Sequence, residues 1–305
     1  HHTFAQWGSG TLCGVRTLLS KHMLVNPSRF VVEGEALMAK EVDIKGKAFV
    51  DARAFVTTPF HVWLNRVREA ARGAARHGTT GMGIGETAID VLACPNGAMR
   101  VSDIAQGKKH IMGKLFEVRN RLWNELHNLG GNREFDRLDV ERIADCYLEF
   151  ARMATILPAD GVRDLINSTD TTVFEGSQGV MLDENFGLHP HTTWSSTGPR
   201  NALDILLECS DSGAISFDEV KIIGVTRTYT TRHGAGPMPT ENTTVGFPEL
   251  HNGDDGPAGQ FRKGWLDLPL LKYAARCCSA LHGLVVSHTD CMPIYYCHSN
   301  ALLDD

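Results

Sequence analysis

Residues 172–199, TVFEGSQGVMLDENFGLHPHTTWSSTGP, hold the densest set of groups able to do chemistry in this chain. Gly176 and Gly179 bracket Ser177-Gln178, so backbone and a carboxamide can approach a flat ligand closely. Thr192, Thr193, Ser195, Ser196 and Thr197 follow, a cluster of hydroxyls suited to a phosphate or a sugar. The segment opens on Val173-Phe174, which reads as a buried strand feeding the glycine turn. A second unusual segment lies at residues 225–241, VTRTYTTRHGAGPMPTE.

The elements that must position these groups alternate in type. Short β-branched or apolar runs at residues 29–32, 48–50, 171–174, 220–225 and 283–287 read as strands. Residues 63–76 read as a helix, with Leu64, Val67, Ala71 and Ala74 on one face and Arg66, Arg68, Arg72 and Arg76 elsewhere. A second helix is expected over residues 140–157, where Ile143, Tyr147, Phe150, Ala151 and Ala154 recur at helical spacing. The pattern predicts an α/β fold, a central mostly parallel sheet flanked by helices, with ligands gathering at the C-terminal ends of the strands. No repeat, low-complexity tract or long linker divides the chain, so residues 1–305 are expected to form a single domain with excursions.

Composition narrows the function classes. With 42% hydrophobic and 22% charged residues the chain can bury a large core. A net charge of -6 argues against a nucleic-acid partner or a membrane surface. No apolar run approaches the ~20 residues that cross a bilayer, and no signal peptide is visible. The eight cysteines lack CxxC spacing, which fits a reduced, cytoplasmic protein. Cys277-Cys278 reads as core packing, and His1-His2 as a tag remnant rather than a metal site.

Six stretches together resemble the adenylosuccinate synthetase family. FAQWG at residues 4–8 is similar to the family's TQWGDEGKGK loop, and GTTGMGIG at residues 78–85 to its GTT-x-x-GIGP, with Glu86 in place of Pro. EGSQG within residues 172–199 is similar to EGAQG, and YTTRHGAGPMPTE to YTTR-GAGP-PTE. GWLD at residues 264–267 and SHTD at residues 287–290 sit where the family carries GW-[LF]-D and TKLD. The resemblance implies the P-loop-NTPase-like fold of that family. It also implies a reaction: a nucleoside triphosphate phosphorylates O6 of a purine nucleotide, and the amine of L-aspartate then displaces that phosphate at C6. Mg²⁺, a purine nucleoside monophosphate, L-aspartate, a triphosphate and a homodimer come with it.

Site residues carry over one at a time. Gly8, Gly10 and Thr11 fall in the loop that cradles phosphate, with Gly8 and Ser9 beside the metal. Ser9 and Gln178 take the catalytic positions, Ser9 where the family has Asp and Gln178 where its Gln contacts the purine. Thr80 and Thr193 match threonines that bind the nucleotide phosphate. Arg100 matches the second Arg of an R-x-x-x-R pair; no Arg occupies the first position, the one that reaches across the dimer. His233 replaces a small residue beside the ribose, and Arg262 is the cation expected to hold aspartate. Asp254 and Asp255, in the stretch equivalent to the family's TTGR loop, read as solvated acids. Asp290 keeps the acid that reads the donor base, whereas His288 replaces its Lys. ATP or dATP thereby becomes as suitable a donor as GTP.

The departures point to a branch. Serine is shorter than aspartate and neutral, and its hydroxyl can accept a hydrogen bond from a 2-amino group. The exchange resembles the phage branch that makes the diaminopurine precursor N6-succino-2-amino-2'-deoxyadenylate from dGMP, in a host cytoplasm. The alternatives are an ordinary synthetase using IMP and GTP, and a nucleotide-binding relative without catalysis. The loop also lacks its Lys, which three residues such as Glu-Gly-Lys between Ser9 and Gly10 would restore. The NAGH segment expected before Asn26-Pro27 is absent, as is the segment that packs on the donor base. Active-site loops left out near residues 9–10 and 20–25 would account for these absences. True deletions would leave a chain unable to transfer a phosphoryl group.

Overall fold

The computed structural model describes residues 2–73, 76–130, 135, 137–210, 219–247, 249, 259–278 and 281–291. The chain divides into two compact units, the first made of residues 1–175 and 201–215, the second of residues 176–200 and 216–305.

In the first unit a three-stranded parallel sheet runs in the order β1 (Thr17–Leu19), β3 (Ala48–Asp51), β5 (Ala154–Leu157). Thr17 pairs with Ala48, and Ala48 with Ala154. A second parallel pair joins β2 (Leu24–Val25) to β4 (Phe55–Val56). Helices α1 (Pro27–Met38), α2 (Pro59–Arg72), α3 (Ile84–Ala93), α4 (Val101–Ile104), α5 (Lys108–Asn128), α6 (Val140–Met153), α7 (Ala159–Asn167) and α8 (Arg200–Ser210) complete it. Their apolar stripes form the core. On α5, Ile111, Leu115, Val118, Leu122 and Leu126 recur every three or four residues and are all buried. Trp7 stacks on Phe30 at 4.5 Å, and Phe30 meets Phe150 edge-on at 5.0 Å.

The second unit carries a parallel pair, β6 (Ile223–Arg227) with β9 (Gly283–Ser287), and an antiparallel pair, β7 (Tyr229–His233) with β8 (Phe261–Trp265). Helix α9 (Leu268–Cys277) follows β8. The parallel strands of the first unit, packed against helices, match the expected α/β class.

Several boundaries differ from expectation. Residues 29–32 belong to α1 and form no strand. Asn26 caps that helix by accepting from the Arg29 amide at 3.1 Å, and Pro27 sits at its first turn, so the start signals override two consecutive valines. Helix α2 begins at Pro59, capped by Thr58, and ends at Arg72, with Gly73 following it; Ala71 is exposed and Ala74 lies outside the described residues. Residues 140–157 divide at Met153, because Ala154 to Leu157 pair with β3. The run at residues 171–174 joins no ladder, and Val173 is 82% exposed. An apolar run needs a neighbouring strand edge to become a strand. Residues 220–225 give β6 a few residues later, while residues 48–50 and 283–287 fall within strands as read. Cys277 and Cys278 are half-buried, at the end of a helix with no fully buried residue.

Candidate functional site

The N-terminal loop is held from below by one carboxylate. Glu33, buried on α1, accepts the backbone amides of Ala5 at 3.0 Å and Gln6 at 2.7 Å. Gln6 in turn accepts from the Asn26 amide at 2.9 Å, and Trp7 donates to the Phe30 carbonyl at 3.1 Å. The chain arrives at Gly8 already fixed. A Cβ on Gly8 would stand 2.9 Å from Thr17 Oγ1, so only glycine passes there without displacing the hydroxyl. Residues Ser9–Cys13 then make one 3-10 turn, closed by Gly14 at φ 74°.

Within that turn the groups are already directed. The Gly8 carbonyl accepts the Thr11 amide at 3.0 Å and the Thr11 hydroxyl at 2.7 Å. Thr11 is buried and shares a second hydrogen bond with Thr17 Oγ1 at 3.1 Å, so its hydroxyl serves the turn. Ser9 is exposed. Its amide and its hydroxyl both donate to Glu175 Oε2, at 3.2 and 3.0 Å. The chain passes from Ser9 to Gly10, and from Ser20 to Val25, in tight connections; the Met23 amide donates to the Ser20 carbonyl at 2.9 Å. No lysine lies between Gly8 and Gly14.

Mg²⁺ takes hard oxygens, commonly one or two protein carboxylates plus substrate phosphates. Among the described residues no group of three or more His, Cys, Asp and Glu side chains could hold a metal. Both lone pairs of the Gly8 carbonyl are used by Thr11. The side-chain oxygens left at this loop are the Ser9 hydroxyl and the Glu175 carboxylate, too few to hold the ion without phosphates from a bound nucleotide.

The loop at residues 78–85 wraps on α2. Glu69 accepts the Gly78 and Thr79 amides at 3.0 and 3.3 Å. Burial pushes its carboxyl up, but Arg72 and the two amides outweigh that and hold it below the usual carboxylate range. Gly83, at φ 79°, presses on α2 so closely that a Cβ would lie 2.6 Å from the Val62 nitrogen. Thr80 is left exposed at the loop. Arg100 caps α4, lays its guanidinium 3.9 Å over the Phe55 ring and donates to the Arg53 carbonyl at 2.8 Å.

The ends of β1 and β3, where ligands were expected, carry an ion network. Arg53 grips Asp51 at 2.7 Å and Glu208 at 3.0 Å, Lys21 reaches Glu208 and Asp204, and His22 meets Asp204 at 2.8 Å. Sequence reading missed this network, since its members lie up to 187 residues apart.

In the second unit the segment after Glu175 is organised by Asp183, a residue that sequence reading passed over. This buried carboxylate accepts the Asn185 amide at 2.8 Å, the Phe186 amide at 3.2 Å and the Thr197 amide at 2.7 Å. Burial raises it, yet these amides hold it below the ordinary range. Its grip draws the hydroxyl-rich stretch back onto residues 180–182, and the Thr193 amide donates to the Leu182 carbonyl at 2.7 Å. Gln178 is exposed and held at φ 67°.

His233 is exposed, packs edge-on against Phe261 and hydrogen-bonds the Gly259 carbonyl at 3.0 Å. Arg262 is occupied: it pairs with Glu241 and donates to the carbonyls of Gly234 and Gly236 at 3.1 and 2.8 Å. Arg232, beside it, donates to the carbonyls of Ala235 and His191 at 2.9 and 3.2 Å. Burial and the Arg262 charge lower its pKa. His288 sits at φ 59°, edge-on to Tyr229 at 5.6 Å, and Asp290 is exposed two residues on. Asp254 and Asp255 lie outside the described residues. Ser9, Thr80 and Arg100 thus belong to the first unit, and Gln178, Thr193, His233, Arg262, His288 and Asp290 to the second.

Parallel strands, covering helices and glycine-bearing loops define an α/β protein of the kind that takes up ligands on its loops. The family model described as adenylosuccinate synthetase matches residues 1–295, and the chain belongs to that family. The adenylosuccinate synthetase of Thermobifida fusca is 33% identical over 270 residues, 86% of this chain and 60% of that protein. That of Desulfosudis oleivorans is 32% identical over 292 residues, 92% of this chain and 65% of that protein. The chain therefore spans about 60% of the length of the curated relatives it matches. A fully ligated adenylosuccinate synthetase from Plasmodium falciparum is similar with a TM-score of 0.67 at 20% identity, covering 89% of this chain and 61% of that one. Cyanophage S-2L succinoaminodeoxyadenylate synthetase, bound to dGMP and to dATP as an energy donor, gives 0.56 at 16%, over 89% of this chain and 65% of that one. At these identities the two structures show a shared fold.

Proposed function

We propose that this chain ligates L-aspartate to C6 of a purine nucleoside monophosphate, using a nucleoside triphosphate to activate O6, with dGMP as the purine. The observation that carries the choice of dGMP is Ser9, a short neutral side chain where the family places an acid, with its hydroxyl bonded to Glu175. A guanine ring carries an amino group at C2 that would crowd a carboxylate held close, and a hydroxyl leaves it room. The ligands bound by the cyanophage enzyme, dGMP and dATP, support the same choice and favour ATP or dATP as donor over GTP. Gln178 and Thr193 contact the purine nucleotide in this reading, with Thr80 and Arg100 at its phosphate. Arg262 is paired with the Glu241 carboxylate, whereas Arg232 beside it bonds two neutral carbonyls, so Arg232 is the better cation for the dicarboxylate. A homodimer, Mg²⁺ delivered with the triphosphate and a cytoplasmic setting complete the reading.

A second reading rests on the N-terminal turn, which closes with no lysine in it. A loop without that cation is poorly equipped to steady a transferring phosphoryl group. On this reading the chain binds purine nucleotides without joining them to aspartate.

One assay separates these. The chain is incubated with dGMP, GMP or IMP, each with aspartate and ATP, dATP or GTP, and the succino adduct is measured. The expected result is turnover with dGMP exceeding that with IMP. In Ser9→Asp, added atoms at the purine C2 edge cost about 1–3 kcal/mol, roughly a five- to 150-fold loss with dGMP. IMP, which has only hydrogen at C2, suffers less. Absence of any adduct leaves the binding reading, and an unchanged dGMP-to-IMP ratio in Ser9→Asp removes Ser9 as the selector.

A further inference from the structure

Resting on the reading of Ser9 as a purine-facing group, we infer that Glu175 is a specificity-determining positioning residue: it fixes the Ser9 hydroxyl so that only acceptor lone pairs remain for a ligand. A serine hydroxyl has one proton and two lone pairs, and it rotates to suit whatever faces it. Left free, it would donate to an acceptor edge as readily as it accepts from a donor edge. Here the proton is committed. Ser9 Oγ donates to Glu175 Oε2 at 3.0 Å, and the Ser9 amide donates to the same oxygen at 3.2 Å. Two donors from one residue converging on one carboxylate oxygen fix both the backbone and the rotor of Ser9. A hydrogen bond to a carboxylate oxygen is of the stronger kind, and it polarises the hydroxyl into a better acceptor.

The consequence is selection by hydrogen-bond polarity. A purine edge bearing an amino group at C2 offers N–H donors to the exposed Ser9 lone pairs. A purine with only hydrogen at C2 has no amino donor to offer there. Glu175 therefore converts a permissive serine into a reader of the 2-amino group, at a distance of one side chain from the ligand. Its role differs from that of an acid at position 9, which would present the charge itself to the ring.

The test uses the full chain and two purine nucleotides, dGMP and IMP, with dissociation constants from calorimetry and kcat and KM from the adduct assay. Glu175→Leu keeps the bulk but removes every acceptor, so the hydroxyl proton is released. The expected outcome is a three- to tenfold fall in the dGMP-to-IMP binding preference, carried by KM rather than kcat, the scale of one hydrogen bond. Glu175→Ala should do the same. In a Ser9→Ala background Glu175→Leu should have no further effect on the preference, because its action runs through the missing hydroxyl. A preserved preference in both Glu175→Leu and Glu175→Ala, or an equal fall in the Ser9→Ala background, overturns the inference while leaving the assignment of dGMP intact. If the unaltered chain binds neither nucleotide, or binds both equally, the underlying reading fails and the inference with it. Both residues are exposed, so thermal midpoints matching the unaltered chain are expected throughout.

Discussion

Gln178 is held at φ 67°, a left-handed conformation that costs a non-glycine residue about 1–2 kcal/mol. A glutamine kept there against that cost, between Gly176 and Gly179, is a candidate for a ligand contact that repays it. Two substitutions separate the backbone from the amide. Gln178→Ala removes the carboxamide and should lower turnover by one to two orders of magnitude, the scale of one or two good polar contacts. Gln178→Gly removes it as well but relaxes the backbone, so turnover should fall equally while the thermal midpoint rises. Wild-type turnover in Gln178→Gly would mean that the purine contact lies elsewhere. The position of Gln178 was legible because EGSQG is a contiguous string. Asp183 was not, although it stands eight residues beyond Glu175, since its role appears only when Asn185, Phe186 and Thr197 fold back on it. Glu175 was legible as part of a motif, but its bond to a residue 166 positions earlier was not.

Among elements, the join between α2, α3 and α5 is electrostatic as well as apolar. Asp90 on α3 is almost fully buried and accepts from Nε and Nη2 of Arg121 on α5, each at 2.8 Å. His61 on α2 uses Nδ1 to accept the Thr58 amide at 3.0 Å, which leaves its Nε2 proton for Asp90 at 3.3 Å. Burial alone would raise the Asp90 carboxyl, but Arg121 and His61 outweigh it and hold the group well below the usual range. The sign of the pH effect follows. A depressed folded-state pKa gives stability that is complete above the unfolded value of about 3.9 and is lost as pH falls through the folded value. Asp90→Asn should therefore cost about 3 kcal/mol at pH 7, the low end for breaking a buried pair since Arg121 stays a quarter exposed. It should also flatten the decline of the thermal midpoint below pH 4. Equal acid slopes in both proteins would show that Asp90 is not a source of the acid sensitivity. The helices of this join were partly legible: periodicity found α2, though its first turn depends on the Thr58 cap and Pro59. Residues 29–32 misled because β-branched pairs occur in helices too, and the decisive signals were Asn26 and Pro27 just upstream.

Across the whole molecule, burial is unequal. The first unit holds a large aromatic and aliphatic core that includes Trp7, Phe30, Phe60, Tyr147 and Phe150. In the second unit the buried apolar side chains among the described residues are Tyr229, Met238 and Val245. Its parallel pair leaves Ile223 50%, Val225 73%, Leu284 48% and Val285 50% exposed, although these are the residues a parallel sheet normally covers on both faces. The sequence showed the pair as two apolar runs but not what covers them, because cover is set by elements distant in the chain. Two strands with so little buried area are marginal alone, whereas the three strands of the first unit lie against packed helices. Amide hydrogen exchange reads this difference directly, since protection follows the free energy of local opening. Amides of Ala48 to Asp51 in β3 should exchange near the rate of global unfolding. Those of Ile223 to Arg227 and Gly283 to Ser287 should exchange faster by at least two orders of magnitude, about 3 kcal/mol less protection. Urea transitions followed separately through the two units should then fail to coincide. Uniform protection of β3, β6 and β9 would show instead that the second unit opens only together with the first.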